Sequence, residues 1–406
     1  MQRRNDRLQD DIANSTVRVV LLTSSLERGG AERQVVELAN ALDSSQYHVH
    51  VVSLSTENPL ASDLRDAASR LVVVPKQRRF DLPLVFKIAR LLRKLKADVV
   101  HSFMFDAEIV GRLSGRLARV PAVVCSNRCP HHGRGRFKRW VSRVTEPCFD
   151  VMIANSWAGM AFERDEQGVG ANKLCVVPNG IDVNRFFPGR REDIRAALGV
   201  GPETVAIGMF AHFRGNKDHA TLINAFAGLA RGPRPVRLIL VGGADGAGPE
   251  FIHGQCRAQV DRLGLTDQVS FLGARSDVAD LYHAMDVKAL STLFEGTPNA
   301  VLEAMASGLP VVASDVCDNR RIVQDGVNGF IVPPRDSITL ADRLKRLVDD
   351  ADLRARLGAS ARQRAEREYS VSTLARRTAA VYLSVLPDKC PSRNTPRLAG
   401  TTGGDA

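Results

Sequence analysis

The chain has 406 residues, 44% hydrophobic and 25% charged, a composition near the globular average that excludes extensive disorder and leaves room for two domains. No apolar run approaches the roughly 18 residues of a spanning helix, and the N-terminal MQRRNDRLQDD lacks a signal-peptide core, so the expected location is the cytoplasm. The formal charge of +11 points to an anionic partner: a phosphorylated small molecule, an acidic membrane surface or nucleic acid.

In chain order, VRVVLLT at Val17 to Thr23 reads as a buried strand, SSLERGG as a glycine-containing loop, and Ala31 to Leu42 as a helix. VHVVSL, ADVVHSF, AVVCS and VMIANS are further buried-strand candidates. A helical segment between them carries Lys87, Arg90, Arg93, Lys94 and Lys96. A second basic stretch holds Arg128, Arg134, Arg136, Lys138, Arg139 and Arg143 with Phe137 and Trp140. Basic residues interleaved with aromatics suit an anionic phospholipid surface, the alternative being a solvated face. No recognition helix, zinc finger or aromatic strand motif accompanies the charge, so nucleic acid is set aside. The seven cysteines (Cys125, Cys129, Cys148, Cys175, Cys256, Cys317, Cys390) form no CxxC pair and read as reduced thiols. Cys125 and Cys129 with His131 and His132 do not have the ligand spacing of a structural zinc site, and no metal is expected.

LCVVPNGIDVNRFFPG marks a boundary, with the hinge between Gly180 and Pro188. The plan then starts over. VAIGMF is a strand, AHFRGNKD a loop and HATLINAFAGLA a helix, followed by the strands VRLILVGG, VSFLG, VKALS and PVVASD. Strands alternating with helices in both halves predict an α/β protein of two Rossmann-like doubly wound sheets facing each other across a cleft. The expected domains are 17–185 and 189–371, with a helix over 372–387 crossing back to the first. Residues 1–15 and 388–406 read as unstructured.

Between the last two of these strands lies FEGTPNAVLEAMASGLP. Thr297 is placed as N-cap and Pro298 at the first helical position, and Gly308 with Pro310 ends the helix. The unpaired N–H groups around Asn299 to Val301, with the helix dipole, make a site for phosphate oxygens. Glu295 and Glu303 flank that start, eight positions apart. Glu303 is far enough into the helix to accept hydrogen bonds from a ribose, and Glu295 can do the same for a sugar on the second phosphate. Taken alone, both could equally be solvated carboxylates.

The run EGTPNAVLEAMASGLPVVASD resembles the Glu-x7-Glu signature of the family-4 retaining glycosyltransferases of GT-B fold, and the likeness extends from about Val17 to Leu386. The resemblance implies a donor site in which Glu303 binds the nucleotide ribose, Glu295 binds the donor sugar, and Gly296, Thr297, Pro298, Asn299, Ala300 and Val301 hold the diphosphate. Lys217 matches the family lysine on the diphosphate. The family's usual arginine, five positions earlier, is His212 here. Arg214 is taken as the second cation and His212 as pocket lining. Gly29 and Gly30 match the loop that approaches the phosphates from the other domain. His101 is a catalytic candidate, standing where the family has one of two histidines, with Phe103 in place of the other and a purely structural role as the alternative; Arg128 stands near a further family histidine.

The implied activity is retaining transfer from a nucleoside-diphosphate sugar, with UDP as the expected nucleotide and a guanosine nucleotide as the alternative, to a hydroxyl of a polysaccharide, lipopolysaccharide or glycolipid. No resident cofactor or metal is implied, and the lipid-facing basic stretch would bring the enzyme to the inner face of the membrane. The rival readings are a nucleotide-sugar 2-epimerase of the same fold and a non-catalytic membrane-docking protein. A dinucleotide dehydrogenase is disfavoured because neither strand-loop-helix start contains G-x-G-x-x-G.

Overall fold

In the computed structural model the described residues are 16–386, excepting 79–80, 129–135, 247 and 249. The terminal segments read as unstructured, together with Cys129, His131, His132 and Arg134, therefore lie outside the described residues.

The first sheet comprises β1 (Val17–Thr23), β2 (Tyr47–Ser53), β3 (Leu71–Val73), β4 (Val99–Phe103), β5 (Ala122–Asn127), β6 (Val151–Ala154) and β7 (Leu174–Val176). Its order is β3-β2-β1-β4-β5-β6-β7, and every pairing is parallel. The second comprises β8 (Val205–Phe210), β9 (Val236–Val241), β10 (Val269–Gly273), β11 (Val287–Leu290), β12 (Val311–Ser314) and β13 (Gly329–Val332). These lie in the order β10-β9-β8-β11-β12-β13, again all parallel. Helices cover both faces, which is why central strands such as VAIGMF are apolar throughout rather than alternating. The chain is a pair of Rossmann-like α/β units.

Two hydrophobic clusters sandwich the first sheet and one large cluster fills the second unit. The last helix, Val371–Val385, follows the long helix Ala351–Tyr369 and returns to the first unit, where Leu374, Ala375 and Tyr382 enter its core. The two crossings between units are tied together: the Ile181 N–H donates to the Tyr369 carbonyl at 2.7 Å and the Val371 N–H to the Ile181 carbonyl at 3.0 Å. Gln34 grips the same hinge, with its amide exchanging hydrogen bonds with the backbone of Gly180 at 2.8 and 2.7 Å.

Candidate active site

In an open parallel sheet the loops at the carboxyl ends diverge where strand order reverses, and that divergence opens a crevice. Here the reversals fall between β1 and β4 in one unit and between β8 and β11 in the other. The loop after β1 carries Gly29 and Gly30, the loop after β8 carries Arg214 and Lys217, and the loop after β11 carries Glu295 to Pro298. The crevices face each other.

The phosphate-type helix spans Asn299–Ala306, one residue later than the capping reading placed it. Pro298 occupies the cap position in an extended conformation (φ −74°, ψ 108°), and no side chain caps the helix. The Val301 N–H is already turned onto the Pro298 carbonyl at 3.0 Å. The donors of the first turn left facing outward are those of Asn299 and Ala300 rather than the full stretch to Val301. The Thr297 hydroxyl does not serve the helix. It donates to the carbonyl of Asn155 in the other unit, because Thr297 is buried against that surface. Gly296 is tight there as well: a Cβ would stand 2.8 Å from the Asn155 side chain. Gly308, at φ +75°, ends the helix in the left-handed region.

Asn299 draws the opposite loop onto this start. Its Nδ2 donates to the Gly30 carbonyl at 3.2 Å, and its Oδ1 accepts from Asn179 at 2.8 Å. Asn179 also donates to the Thr297 carbonyl at 3.1 Å, and its own Oδ1 accepts from Arg128 at 3.0 Å. Gly29, Gly30, Thr297, Pro298 and Asn299 thus share one corner of the cleft.

The Lys217 ammonium group forms an ion pair with the Glu295 carboxylate. Both side chains are mostly buried. The loop bearing Lys217 is stitched to the end of β11 by hydroxyls: Ser291 donates to the Asp218 carbonyl at 2.8 Å, and Thr292 donates to the Asn216 carbonyl at 2.8 Å. Asp218, at φ 47°, then turns the chain into the helix His219–Leu229 and caps it by accepting from Thr221. Arg214 is exposed on the same turn, its guanidinium bonded to no other described residue, while His212 lies exposed beside Gly243.

Glu303 is partly exposed at the far side of the helix start. Burial pushes its carboxyl above the usual range, opposed by the Tyr282 hydroxyl and by the charges of Lys288, Arg185 and Arg33. The Tyr282 hydroxyl stands 3.1 Å from Glu303 Oε2 and 3.0 Å from the Ala300 carbonyl. Its ring stacks on Phe210 at 4.1 Å.

His101 is not on the cleft surface. It is fully buried, with Nδ1 2.7 Å from the Tyr382 hydroxyl and Nε2 2.7 Å from Ser126 Oγ. Desolvation holds its imidazole well below the ordinary range. One ring nitrogen holds the returning helix through Tyr382 and the other holds β5 through Ser126, and that takes His101 out of the catalytic set proposed from sequence. Arg128 is buried beside it, 5.6 Å over the Phe103 ring, with desolvation drawing its guanidinium down to about 10.

A further contact between units passed unnoticed in the sequence. Asp318 accepts the backbone N–H groups of Trp157 and Ala158 at 2.6 and 3.0 Å, so a carboxylate of the second unit caps the helix Trp157–Asp165 of the first. Arg321 lies 5.2 Å over the Trp157 ring. Nothing local signals this; Asn155 and Asn179 could have been suspected only from their polar character beside strand ends.

Away from the cleft, the helix Arg136–Val144 exposes Phe137, Trp140 and Val144 along one face, among Arg136, Lys138 and Arg139. Lys138 reaches over Phe105, at the start of the helix Phe105–Ala118, which packs in turn on the helix Leu82–Lys94 with its exposed Leu82 and Phe86. Among the described residues no helix is long and apolar enough to cross a membrane, and no cluster of His, Cys, Asp and Glu is suited to a metal ion.

Two family models match: Glycosyltransferase Family 4 over residues 28–185 and Glycosyl transferases group 1 over 201–350. The chain is 29% identical to EpsF of Bacillus subtilis over 74% of this chain and 80% of that protein. It is 26% identical to the Escherichia coli UDP-Gal:alpha-D-GlcNAc-diphosphoundecaprenol alpha-1,3-galactosyltransferase, over 79% of this chain and 85% of that one. The crystal structure of Anabaena Alr3699/HepE in complex with UDP resembles it with a TM-score of 0.79 at 26% identity, covering 91% of this chain and all of that one. The complex of that protein with UDP-glucose gives 0.77.

Proposed function

The chain belongs to the group 1, family-4 glycosyltransferases of GT-B fold, and on that premise we propose that it moves a sugar, with retained anomeric configuration, from a UDP-sugar to a hydroxyl of a glycan or lipid-linked acceptor. The observation that carries this reading is the convergence of Gly30, Asn299, Lys217, Glu295 and Glu303 at the two facing switch points. The diphosphate lies at the start of the helix Asn299–Ala306, where backbone donors and the helix dipole favour negative charge. Glu303 takes the ribose hydroxyls. In the free enzyme Lys217 and Glu295 hold each other; when donor enters, the ammonium turns to the phosphates and the carboxylate to the sugar.

Lys217 then stabilises the charge developing on the departing diphosphate, with Arg214 as a second cation at the mouth. Transfer proceeds on the donor's front face, the leaving phosphate helping to take the acceptor proton. Neither glutamate acts as nucleophile in this scheme, because both bind donor hydroxyls. Much of the acceleration comes from holding the acceptor hydroxyl beside the departing phosphate within a closed cleft. The nucleotide sugar is a co-substrate, and no resident cofactor is required.

The uridine nucleotide is supported by the UDP and UDP-glucose complexes of the Anabaena neighbour, and a lipid-linked acceptor by the diphosphoundecaprenol substrate in the name of the Escherichia coli relative. An anionic membrane is the proposed docking partner of the exposed Phe137, Trp140 and Val144 with their flanking cations. A thermal-shift panel of nucleoside diphosphates and their sugars tests the donor reading, since a ligand bound only by the folded state raises Tm. Stabilisation by UDP and a UDP-sugar is expected. A response to none of the panel would overturn it.

A further inference from the structure

We propose that Lys288, which lies outside the signature segment, is the internal counter-cation of Glu303 and thereby a positioning residue for the donor. The inference rests on the reading of Glu303 as the residue that accepts hydrogen bonds from the nucleotide.

Lys288 sits in β11, a central strand between β8 and β12, and its side chain is wholly removed from solvent. A strand buried on both faces selects apolar residues, and an isolated ammonium in such a place costs several kcal/mol unless charge compensates it. Its one hydrogen bond among the described residues goes to the adjacent Ala289 carbonyl at 2.9 Å, and it lies 5.5 Å from the centre of the Phe210 ring. Phe210 stacks on Tyr282, whose hydroxyl is the direct partner of Glu303. Lysine, aromatic pair and carboxylate therefore form one layered group beneath the cleft, with the ammonium acting on Glu303 through a low-dielectric interior rather than by contact.

The charged and titratable groups around this pair are few. Glu303, Glu295 and Lys217 act on Lys288; Tyr282, Arg185 and Arg33 act on Glu303 beside it; His219 feels the lysine from the neighbouring helix. Burial drives the lysine down to about 7, and the two glutamates oppose that shift. The same burial favours a protonated Glu303, against which Lys288 works. The sign follows from both. Below pH 7 the lysine is charged, and its charge opposes proton uptake by Glu303, which would turn one of the two acceptor oxygens into a donor. Lys288 keeps Glu303 ionised where it is most needed.

The test is equilibrium binding of UDP-glucose from pH 5.5 to 8 to wild type, K288M and K288R, with initial-rate kinetics alongside. Wild-type affinity should stay within about threefold between pH 5.5 and 7, whereas K288M should lose roughly tenfold or more over the same interval and far less at pH 8, one unit of carboxyl shift being a factor of ten. K288R, charged at every pH, should restore the flat profile, and donor KM should move more than kcat. K288Q, with a neutral donor for the Ala289 carbonyl, serves should K288M fail to fold. A wild-type affinity that collapses between pH 7 and 5.5, or neutral variants with a wild-type profile, would overturn the proposal while leaving the donor site intact. No binding of any nucleoside-diphosphate sugar by wild type would instead overturn the donor reading, and this inference with it.

Discussion

The carboxylate of Asp318 caps a helix in the other domain, 2.6 Å from the backbone nitrogen of Trp157. With the Thr297 to Asn155 and Asn299 to Gly30 hydrogen bonds it forms a clasp across the cleft, and two of its three links lie in the donor loop. On the proposed donor site, closure and donor binding share residues. Removing one N-cap acceptor costs about 1 kcal/mol. D318A should lower the Tm and raise the donor KM several-fold with a smaller change in kcat, and D318N should fall between. A D318A enzyme with unchanged donor KM would show that the clasp is not part of binding.

Glu303 and Lys217 are assigned different work and should separate in kinetics. E303A should raise donor KM by tenfold or more, since it removes acceptors for the bound nucleotide. K217A should depress kcat by roughly 10²- to 10³-fold, the range for loss of one group facing developing charge. Steady-state rates with a matched acceptor decide it, and transfer at wild-type rates by both variants would sink the assignment.

His101 is predicted to matter for stability and not for turnover. Its two buried hydrogen bonds hold Tyr382 and Ser126, so H101A should destabilise by about 2 to 4 kcal/mol, and Y382F by about 1. Urea melts measure the loss. At temperatures where the variants remain folded, kcat should stay within about threefold of wild type.

The same histidine predicts a pH dependence. His101 is held well below its ordinary 6.5, and His219, buried against Phe213, is lowered to about 3, desolvation being the main cause in both. Because the folded values lie below the unfolded ones, the unfolded chain binds more protons in acid. Stability from these groups is complete above pH 6.5 and should fall as pH drops from there towards 3. Urea midpoints across that range should fall less steeply in H219F than in wild type.

The membrane proposal is tested by sedimentation with vesicles. Enrichment on phosphatidylserine-containing vesicles over neutral ones is expected, weakening with salt, and W140A with R136A and K138A should abolish it. Equal partition of wild type onto both vesicle types would remove the idea.

Much of the proposed donor site is legible in the chain because its parts are local. A strand, a turn rich in glycine and proline, and a helix start are each encoded within a few residues, and Glu295, Thr297, Asn299 and Glu303 fall in one such unit. The repeated strand-loop-helix plan likewise announced two α/β halves. Thr297 was misread for the opposite reason: its residue type suits an N-cap, yet a surface more than 140 positions away took its hydroxyl.

By itself, then, the sequence determined the two sheets and the phosphate-type helix, since periodicity and turn chemistry act over short range. Only the tertiary structure decided what lies behind those residues. The retirement of His101 into the core, the reach of Asp318 to Trp157, and the burial of Lys288 beneath Glu303 all depend on which distant segments meet, and on how far their meeting excludes water. Hydrogen-bond satisfaction and desolvation are set by that enclosure, and no spacing along the chain records it.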